Sequence, residues 1–554
     1  MIKENLVKYL ESSFKKNWEL PALTDYKGKT IYYKEAAGQI QKFHILFEEA
    51  GIKEGDKIAL IGNNSANWCV IYLATVTYGA VIVPILSDFG PKDVHQIVTH
   101  SDARLLFASE AVWSNLKIEN MENIEASISI ESYDILHSKT ENYKSAHSKH
   151  LELFEKGFPE ELKPDDIKYK EIKNADLALI SYTSGTTGFS KGVMISHNSL
   201  AANVRYAQNN MPLDAGDKIV SLLTIAHAFG MVFDFLFPIT LGCHITLFTK
   251  IPSIPVLTEA FNEIKPNLIL LVPLIPEKIF KKKIVPALNK PVIKVLTKIP
   301  GLDKIIYKSI GKKIAAVFGG SFRELVLGGA AFSHEAENFF TKASFQFTIG
   351  YGMTECGPLI SYAPWNARQL ETCGKVVDTL EVKIDSPDQE NIVGEIMVRG
   401  ENVMDGYYKN KEATEAVLDK DGWLHTGDLG VIDKEGFIYI KGRSKSMILG
   451  PSGKNIYPEE IESVINTRYY ILESLVIEKE GKLVALICPD QERLKAKKMT
   501  PEKLEKKLED YRMKINSRLP SHVSIAKYVL HEEEFEKTPK RSLKRFKYQE
   551  NFGK

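Results

Sequence analysis

The stretch LALISYTSGTTGFSKGVMIS, residues 177–196, joins two apolar runs through a loop rich in glycine, serine and threonine. LALISY and GVMIS are short and β-rich, so the loop is predicted to connect two strands. Its backbone N–H groups and hydroxyls suit an oxyanion, and Gly185 and Gly188 permit close approach of the backbone. The loop departs from the Walker pattern, because Lys191 precedes Gly192 and no helix follows directly. The two interpretations are an anion-binding loop of another kind and a plain polar hairpin turn.

Apolar runs and amphipathic segments alternate on both sides of this loop. KIALIGNN (residues 57–64), AVIVPIL (80–86) and ARLLFAS (103–109) are predicted strands separated by helix-like segments. This alternation favours α/β layers with largely parallel sheets. Residues 68–86 are apolar over a length that suits a bilayer, but Gly79 divides them. A helix, a break and a buried strand are therefore predicted there.

The composition narrows the class of protein. With 554 residues the chain is too long for one core, and its 44% hydrophobic and 26% charged residues are ordinary for a globular protein. A net charge of +1 gives no general attraction for nucleic acid, so no nucleic-acid partner is expected. The five cysteines are scattered without a CxxC pair, and residues 1–18 lack the apolar run of a signal peptide. We expect a cytoplasmic protein without disulfides or a zinc site.

Three further motifs follow the loop: YGMTE (residues 351–355), GWLHTGD (422–428) and GFIYIKGRSK (436–445). In this order they resemble the ANL superfamily of adenylate-forming enzymes, which includes acyl-CoA synthetases, firefly luciferase and the adenylation domains of peptide synthetases. The resemblance covers residues 22–545.

The resemblance implies a fold class and two domains. The class is α/β, with a large N-terminal AMP-binding domain of layered α/β subdomains, similar to acetyl-CoA synthetase, over residues 1–443. A small mobile α+β domain would follow over residues 444–554.

The chemistry of the motif residues agrees with the resemblance. Tyr351 offers a ring face for a purine and Thr354 a hydroxyl for a phosphate oxygen, while Glu355 suits Mg²⁺. Asp428 can accept hydrogen bonds from a ribose diol, to which Arg443 can donate. Taken alone, Glu355 would fit a solvated loop acid and Asp428 a turn residue. The resemblance puts Tyr351 against adenine, Thr354 at the α-phosphate, Glu355 at Mg²⁺ and Asp428 at the ribose.

The resemblance also implies the remaining members of the site. Glu355 and Thr183 would hold the metal, and His227, followed by Ala228 and Phe229, would lie beside the acyl pocket. A lone histidine is more often structural, and the position of His227 between the motifs leaves both interpretations open. The predicted nucleotide- and CoA-binding residues are Thr183, Ser184, Gly185, Thr186, Thr187, Gly188, Lys191, Gly329, Ala330, Tyr351, Gly352, Thr354, Asp428, Arg443, Lys445 and Gly453.

The implied reaction uses ATP, Mg²⁺ and CoA. The loop would hold the β- and γ-phosphates while a carboxylate attacks the α-phosphorus, giving an acyl adenylate and pyrophosphate. Lys445 matches the hinge of the C-terminal domain, and Gly450 and Gly453 belong to a loop that borders the pantetheine tunnel in acyl-CoA synthetases. CoA would then displace AMP.

The acyl substrate is suggested by two segments. FGGSFRELVLGGAAF (residues 318–332) and the lysine-rich segment 276–313 resemble the long-chain fatty acid–CoA ligase branch. The basic, apolar character of 276–313, including Lys281-Lys282-Lys283, fits peripheral contact with a membrane or a solvated helical face. Two other functions stay open: a fatty acyl-AMP ligase that loads a carrier protein, and a catalytically weak acyl-binding relative.

The C-terminal motif departs from its family. The usual ending carries a lysine that reaches the α-phosphate, and alignment on Thr538-Pro539 and Arg545 puts Ser542 at that position. In an extended segment Lys540 and Lys544 would flank Ser542 on the same face, each about 7 Å away. We therefore expect Lys540 or Lys544 to supply the catalytic charge.

Overall fold

The computed structural model describes residues 1–183, 190–249, 252–450, 455–520, 523–537 and 543–551. The predicted site residues that lie outside the described ranges are Ser184, Gly185, Thr186, Thr187, Gly188, Gly453 and Lys540.

A first sheet contains both strands that flank the glycine-serine-threonine loop. Neighbouring strands from Leu177–Thr183 to Ala126–Ser129 run parallel, and antiparallel strands complete both edges. The order across the sheet is Gly406–Tyr407, Lys191–Ser196, Leu177–Thr183, Val81–Ile85, Lys57–Ile61, Ala103–Ala108, Ala126–Ser129 and Ile135–Ser138.

A second sheet is parallel except at one edge, where Thr30–Tyr32 pairs antiparallel with Pro21–Asp25. Its order is Phe347–Ile349, Glu324–Leu327, Leu268–Leu271, Lys218–Ser221, His244–Leu247, Pro21–Asp25 and Thr30–Tyr32. The α-helices of this part of the chain are Leu6–Lys16, Tyr33–Glu49, Ala66–Tyr78, Pro91–His100, Glu110–Trp113, Glu141–Gly157, His197–Asn210, Ala228–Gly230, Phe237–Leu241, Ile254–Ile264, Leu274–Ile279, Val285–Leu288, Pro291–Leu296, Leu302–Val317 and His334–Lys342.

The helix Ala66–Tyr78 explains the apolar run that resembled a membrane span. It begins at Ser65, whose side chain accepts a hydrogen bond from Trp68 N, and ends at Gly79, where φ is 89°. Almost every residue of this helix is buried, which is typical of a helix enclosed on all sides. Its Tyr72 ring lies 5.5 Å from Phe235, on the π-helix Met231–Leu236. The predicted helix, break and strand are confirmed.

Antiparallel sheets follow residue 350, and the alternation pattern did not predict them. One contains Tyr351–Gly352, Leu359–Tyr362 and Lys375–Val376, and the other contains Leu380–Asp385, Gly394–Gly400, Leu424–Ile432 and Ile438–Arg443, with the helix Lys411–Glu415 inserted. Some connections, such as residues 386–393 and 433–437, are too short for a crossover helix, so these neighbouring strands must run antiparallel.

The C-terminal part mixes helices with a small sheet. Ile471–Lys479 pairs antiparallel with Lys482–Pro489, which pairs parallel with Ile525–Leu530. The other elements are Ile448–Leu449, Asn455–Ile456, Pro458–Ile465, Gln491–Ala496, Pro501–Asn516 and Phe546–Asn551. This is the α+β arrangement expected for this part.

The lysine-rich segment 276–313 is largely helical, and the lysines of its triple lysine differ in their surroundings. Burial lowers the pKa of Lys281, and the Lys282 ammonium lies 3.0 Å from the Glu492 carboxylate in the C-terminal part. Lys282 therefore forms a contact within the protein, whereas Lys281 is half-buried and Lys283 is exposed. Among the described residues, no helix combines the length and the apolar character needed to cross a membrane.

Candidate active site

The two strands that flank the loop pair antiparallel, with Thr183 opposite Lys191 and Tyr182 opposite Gly192. The predicted connection between two strands is confirmed. The pairing places Thr183 and Lys191 side by side at the base of the loop. The Lys191 ammonium lies 4.6 Å from the centroid of the Tyr407 ring, a cation–π distance.

Tyr407 links this strand pair to Glu355. Gly406–Tyr407 extends the first sheet by pairing with Met194 and Val193, and the Tyr407 hydroxyl donates to Glu355 Oε1 at 2.9 Å. Burial and the Glu355 carboxylate raise the pKa of Tyr407, so its hydroxyl keeps its proton. Sequence reasoning missed Tyr407, because no local pattern connects it to Glu355, 52 positions away.

A short turn holds Glu355. Thr354–Cys356 forms a 3₁₀ helix, with Thr354 buried and Glu355 half-buried, and Met404 N donates to the Glu355 carbonyl at 2.9 Å. The turn ends at Gly357, where φ is 60° and a Cβ would collide with the Ser199 hydroxyl. The backbone of this turn is therefore held on both sides of the carboxylate.

Tyr351, Asp428 and Arg443 form a second network beside the first. The Tyr351 hydroxyl donates to Asp428 Oδ2 at 2.7 Å, and Arg443 Nε lies 2.9 Å from Asp428 Oδ1. Asp428 and Arg443 face each other across neighbouring strands. Burial raises the pKa of Asp428, and the Arg443 guanidinium opposes that shift. The structure thus brings together three predicted residues that are far apart in the sequence.

The predicted acyl-pocket segment adjoins the glycines that follow the strand Glu324–Leu327. A Cβ at Gly328 would lie 2.9 Å from the Phe229 ring, so a side chain there would displace that ring. Gly329, with φ of 79°, and Ala330 are exposed. His227 Nδ1 accepts from Phe229 N at 3.4 Å and caps the short helix Ala228–Gly230.

The backbone of Gly352 approaches the Pro358 carbonyl so closely that a Cβ at this position would collide with it. A methyl group at Gly352 would therefore displace the turn that carries Glu355.

Two predicted residues stand apart from these networks. Lys445 is exposed on the 3₁₀ turn Ser444–Ser446, two residues after Arg443. The Lys544 ammonium lies 3.6 Å from the Glu536 carboxylate. Residues 537 and 543 pair antiparallel, whereas an extended strand would hold them about 20 Å apart. The extended geometry on which both candidates, Lys540 and Lys544, rested is therefore not what residues 537 and 543 show.

The donor set at Glu355 suits Mg²⁺ that arrives with a nucleotide. Among the described residues there is no group of three or more His, Cys, Asp or Glu side chains that could form a protein-only metal site. Mg²⁺ is commonly held by one or two carboxylates together with substrate phosphates, and Glu355 offers one carboxylate.

The family comparison agrees with this geometry. Residues 10–408 match the AMP-binding enzyme family, and residues 445–554 match the AMP-binding enzyme C-terminal domain. The chain therefore belongs to the AMP-binding enzyme family. The predicted membership of the adenylate-forming superfamily is confirmed, and so, at the level of the family, is the prediction of an acid–thiol ligase.

Curated relatives resemble the chain over most of its length. The long-chain-fatty-acid–CoA ligase FadD15 of Mycobacterium bovis is 26% identical over 488 residues, covering 83% of this chain and 77% of the relative. The chloroplastic long-chain-fatty-acid–[acyl-carrier-protein] ligase AEE15 of Arabidopsis thaliana is 27% identical over 551 residues, covering 85% and 74%.

Solved structures confirm the predicted fold class. The anthranilate CoA ligase AuaEII in complex with anthranoyl-AMP superposes with a TM-score of 0.78 at 18% identity, covering 98% of this chain and 96% of that one. The o-succinylbenzoate CoA synthetase of Bacillus subtilis, in complex with its acyl-adenylate intermediate, gives 0.75 at 21% identity and covers 99% of both chains.

Proposed function

We propose that the chain activates a long-chain fatty acid with ATP, forming acyl-AMP and pyrophosphate, and then transfers the acyl group to CoA. One observation carries the first half of this proposal. The Lys191–Tyr407–Glu355 and Tyr351–Asp428–Arg443 networks are joined by the short segment 351–355, which carries both Tyr351 and Glu355. The nearness of these side chains supports the proposal that phosphate-, metal- and ribose-binding groups share one site.

The residues divide the work of adenylation. Asp428 would accept hydrogen bonds from the ribose diol, Tyr351 would face the adenine, and Thr183, Thr354 and Lys191 would contact the phosphates. Two anions must approach each other, so alignment and charge neutralisation supply the rate enhancement. Glu355, with Thr183, would hold Mg²⁺, which supplies neutralisation of the phosphate charge when bound.

The second half-reaction depends on the division of the chain. We propose a junction between residues 443 and 444, at the end of the strand Ile438–Arg443. Lys445 would act as the hinge. After adenylation, residues 444–554 would rotate about it, so that the same active site then catalyses thioester formation. Gly453 would then border the channel for the CoA thiol.

The acyl group is proposed to lie beside His227, Phe229, Gly329 and Ala330. The resemblance to fatty acid ligases supports a long chain, and we propose that part of the segment 276–313 meets the membrane that contains such acids. The carrier-protein alternative is favoured by one observation, the similar identity to a relative named as an acyl-carrier-protein ligase.

A panel of carboxylic acids tests the proposal. The full chain is incubated with ATP, Mg²⁺ and each acid, with CoA, with acyl carrier protein, or with neither. We expect pyrophosphate release with long-chain acids, and AMP release that requires CoA. AMP release that requires carrier protein would favour the alternative, and no pyrophosphate release with any acid would contradict adenylation.

Replacing Asp428 with asparagine is expected to raise the KM for ATP about ten- to a hundredfold. Asparagine retains an acceptor for Tyr351, but the charge-assisted hydrogen bonds to the ribose are lost, at a cost of about 1.5–3 kcal/mol. The KM is measured from initial rates of pyrophosphate release. Asp433→Asn is the matched control. Asp433 lies in a turn of the same sheet, where its Oδ1 accepts hydrogen bonds from Glu435 N and Phe437 N. An unchanged KM in Asp428→Asn would remove the ribose role.

A further inference from the structure

Two consecutive helices, Pro291–Leu296 and Leu302–Val317, expose a cluster of apolar side chains. We call residues 290–308 the helix-pair surface. Among residues 291–306, all of which the structure describes, no apolar side chain belongs to a hydrophobic core cluster. The exposed side chains, with their exposed fractions, are Val292 (68%), Val295 (63%), Ile299 (43%), Leu302 (40%) and Ile305 (66%).

The exposed apolar residues lie on a different side of the second helix from its packing residues. Leu302 and Ile305 are three positions apart and so share a face. Tyr307 instead points to the protein interior, with its ring 5.7 Å from Phe339, and Ile314 is buried in the same core. A helix that needed only to cover the core would have one apolar face, whereas this helix has a second apolar face in water.

Lysines surround this apolar surface without being neutralised. Residues 290–308 contain five lysines, all exposed, and a single acidic residue, Asp303, which accepts a hydrogen bond from Gly301 N. No ion pair joins any of them to a described residue. They are Lys290, Lys294, Lys298, Lys304 and Lys308. Exposed apolar groups framed by free positive charge match a partner that is apolar inside and anionic at its surface.

The helix-pair surface and the predicted acyl-pocket segment pack on some of the same residues. Glu277 Oε1, on the helix Leu274–Ile279, accepts from Ser333 N at 2.9 Å, just after Ala330. The Phe280 ring lies 5.6 Å from Phe339, which also contacts the second helix of the surface through Tyr307. The same framework therefore supports both the surface and the pocket.

We infer that the helix-pair surface docks on an anionic lipid bilayer, with the five apolar side chains inserted between headgroups and the lysines bound to lipid phosphates. This inference moves the membrane contact away from Lys281 and Lys282 to residues 290–308. The docking is inferred from the helix-pair surface alone. Its purpose, to take a fatty acid from the bilayer, rests on the proposed function.

Vesicle sedimentation with the full chain tests the docking. The probes are vesicles of phosphatidylglycerol mixed with phosphatidylcholine, and vesicles of phosphatidylcholine alone. A charge variant carries Lys294→Gln, Lys298→Gln and Lys304→Gln. An apolar variant carries Val292→Gln, Val295→Gln and Ile305→Gln. The matched control carries the same charge change on exposed lysines elsewhere, Lys53→Gln, Lys92→Gln and Lys117→Gln.

We expect the parent protein to bind the anionic vesicles and to lose binding as salt is raised. Each lysine near such a surface is worth about fivefold in affinity, so the charge variant should bind about a hundredfold more weakly. The apolar variant should lose at least tenfold, and the control should bind like the parent. All these positions are exposed, so the fold should be retained.

Three outcomes would overturn the inference: no binding by the parent, equal loss in the control and the charge variant, or full binding by the apolar variant. Sedimentation equilibrium provides a further check, because a dimer that only the apolar variant abolishes would assign the surface to a second copy of the chain. Adenylation of octanoate, a water-soluble acid, is measured in parallel. Vesicle binding without adenylation of any acid would contradict the proposed function and leave the docking intact.

Discussion

Replacing Glu355 with glutamine is expected to lower the rate of acyl-adenylate formation about a hundredfold, with the fold retained. Glutamine still offers an oxygen to the Tyr407 hydroxyl, so the contact at 2.9 Å can persist. What is lost is the negative charge that would hold Mg²⁺ on the phosphates. A group of this kind typically contributes about 3 kcal/mol to transition-state stabilisation. The measurement is ATP- and acid-dependent pyrophosphate release, together with the thermal unfolding midpoint.

Two variants separate charge from local structure. Tyr407→Phe removes only the hydrogen bond to Glu355, and a lost hydrogen bond of about 1 kcal/mol predicts a rate loss of about fivefold. Glu381→Gln makes the same substitution at an exposed carboxylate paired with Arg399, and should leave the rate unchanged. Near-normal pyrophosphate release by Glu355→Gln would exclude the metal role. A loss in Tyr407→Phe as large as in Glu355→Gln would mean that the hydrogen bond, and not the charge, is what matters.

Sequence patterns predicted the parts of the site that are contiguous in the chain. The segments on both sides of the loop are short, apolar and β-rich, and the paired strands Leu177–Thr183 and Lys191–Ser196 confirm the prediction. The buried helix after Ser65 was also predicted, because Gly79 marks its end. Local signals are enough for such elements, since capping and periodicity are properties of neighbouring residues.

Contacts between distant segments could not be predicted in this way. Tyr407 reaches Glu355 only because the strand Gly406–Tyr407 pairs with the edge of the first sheet. No short sequence motif predicts that pairing. Likewise, the lysines of 276–313 look alike in the sequence. Only the folded structure distinguishes them. The Lys282 ammonium lies 3.0 Å from the Glu492 carboxylate, whereas Lys294 is exposed and has no ion-pair partner among the described residues.

Removing the lysine that compensates for Ser542 is expected to abolish most adenylation without affecting the thioester half-reaction. A cation at the α-phosphate stabilises charge only during adenylation, so its loss should cost about a hundredfold in that step. Acyl transfer from premade acyl-AMP to CoA should proceed as in the parent. Lys540 and Lys544 were equivalent candidates on sequence grounds, because both flank Ser542.

The surroundings of Lys544 favour Lys540. The Lys544 ammonium already lies 3.6 Å from Glu536, and the next residue, Arg545, is anchored by Nη1 at 2.7 Å from the buried Glu462 carboxylate. For Lys544 to reach a phosphate, it would have to give up its carboxylate partner while its neighbour stays fixed. We therefore expect Lys540→Ala to lose adenylation about a hundredfold and Lys544→Ala to lose less than tenfold.

The control for this pair is Lys547→Ala, because Lys547 also binds Glu536, at 2.5 Å, and should leave both half-reactions unchanged. A selective loss in Lys544→Ala instead of Lys540→Ala would reverse the choice and imply that the Glu536 pair opens during catalysis. If neither variant loses adenylation, no lysine of this motif replaces the missing one. If the parent protein adenylates no acid at all, the catalytically weak acyl-binding relative becomes the favoured function, in line with Ser542, whose hydroxyl brings no positive charge to two anions that must meet.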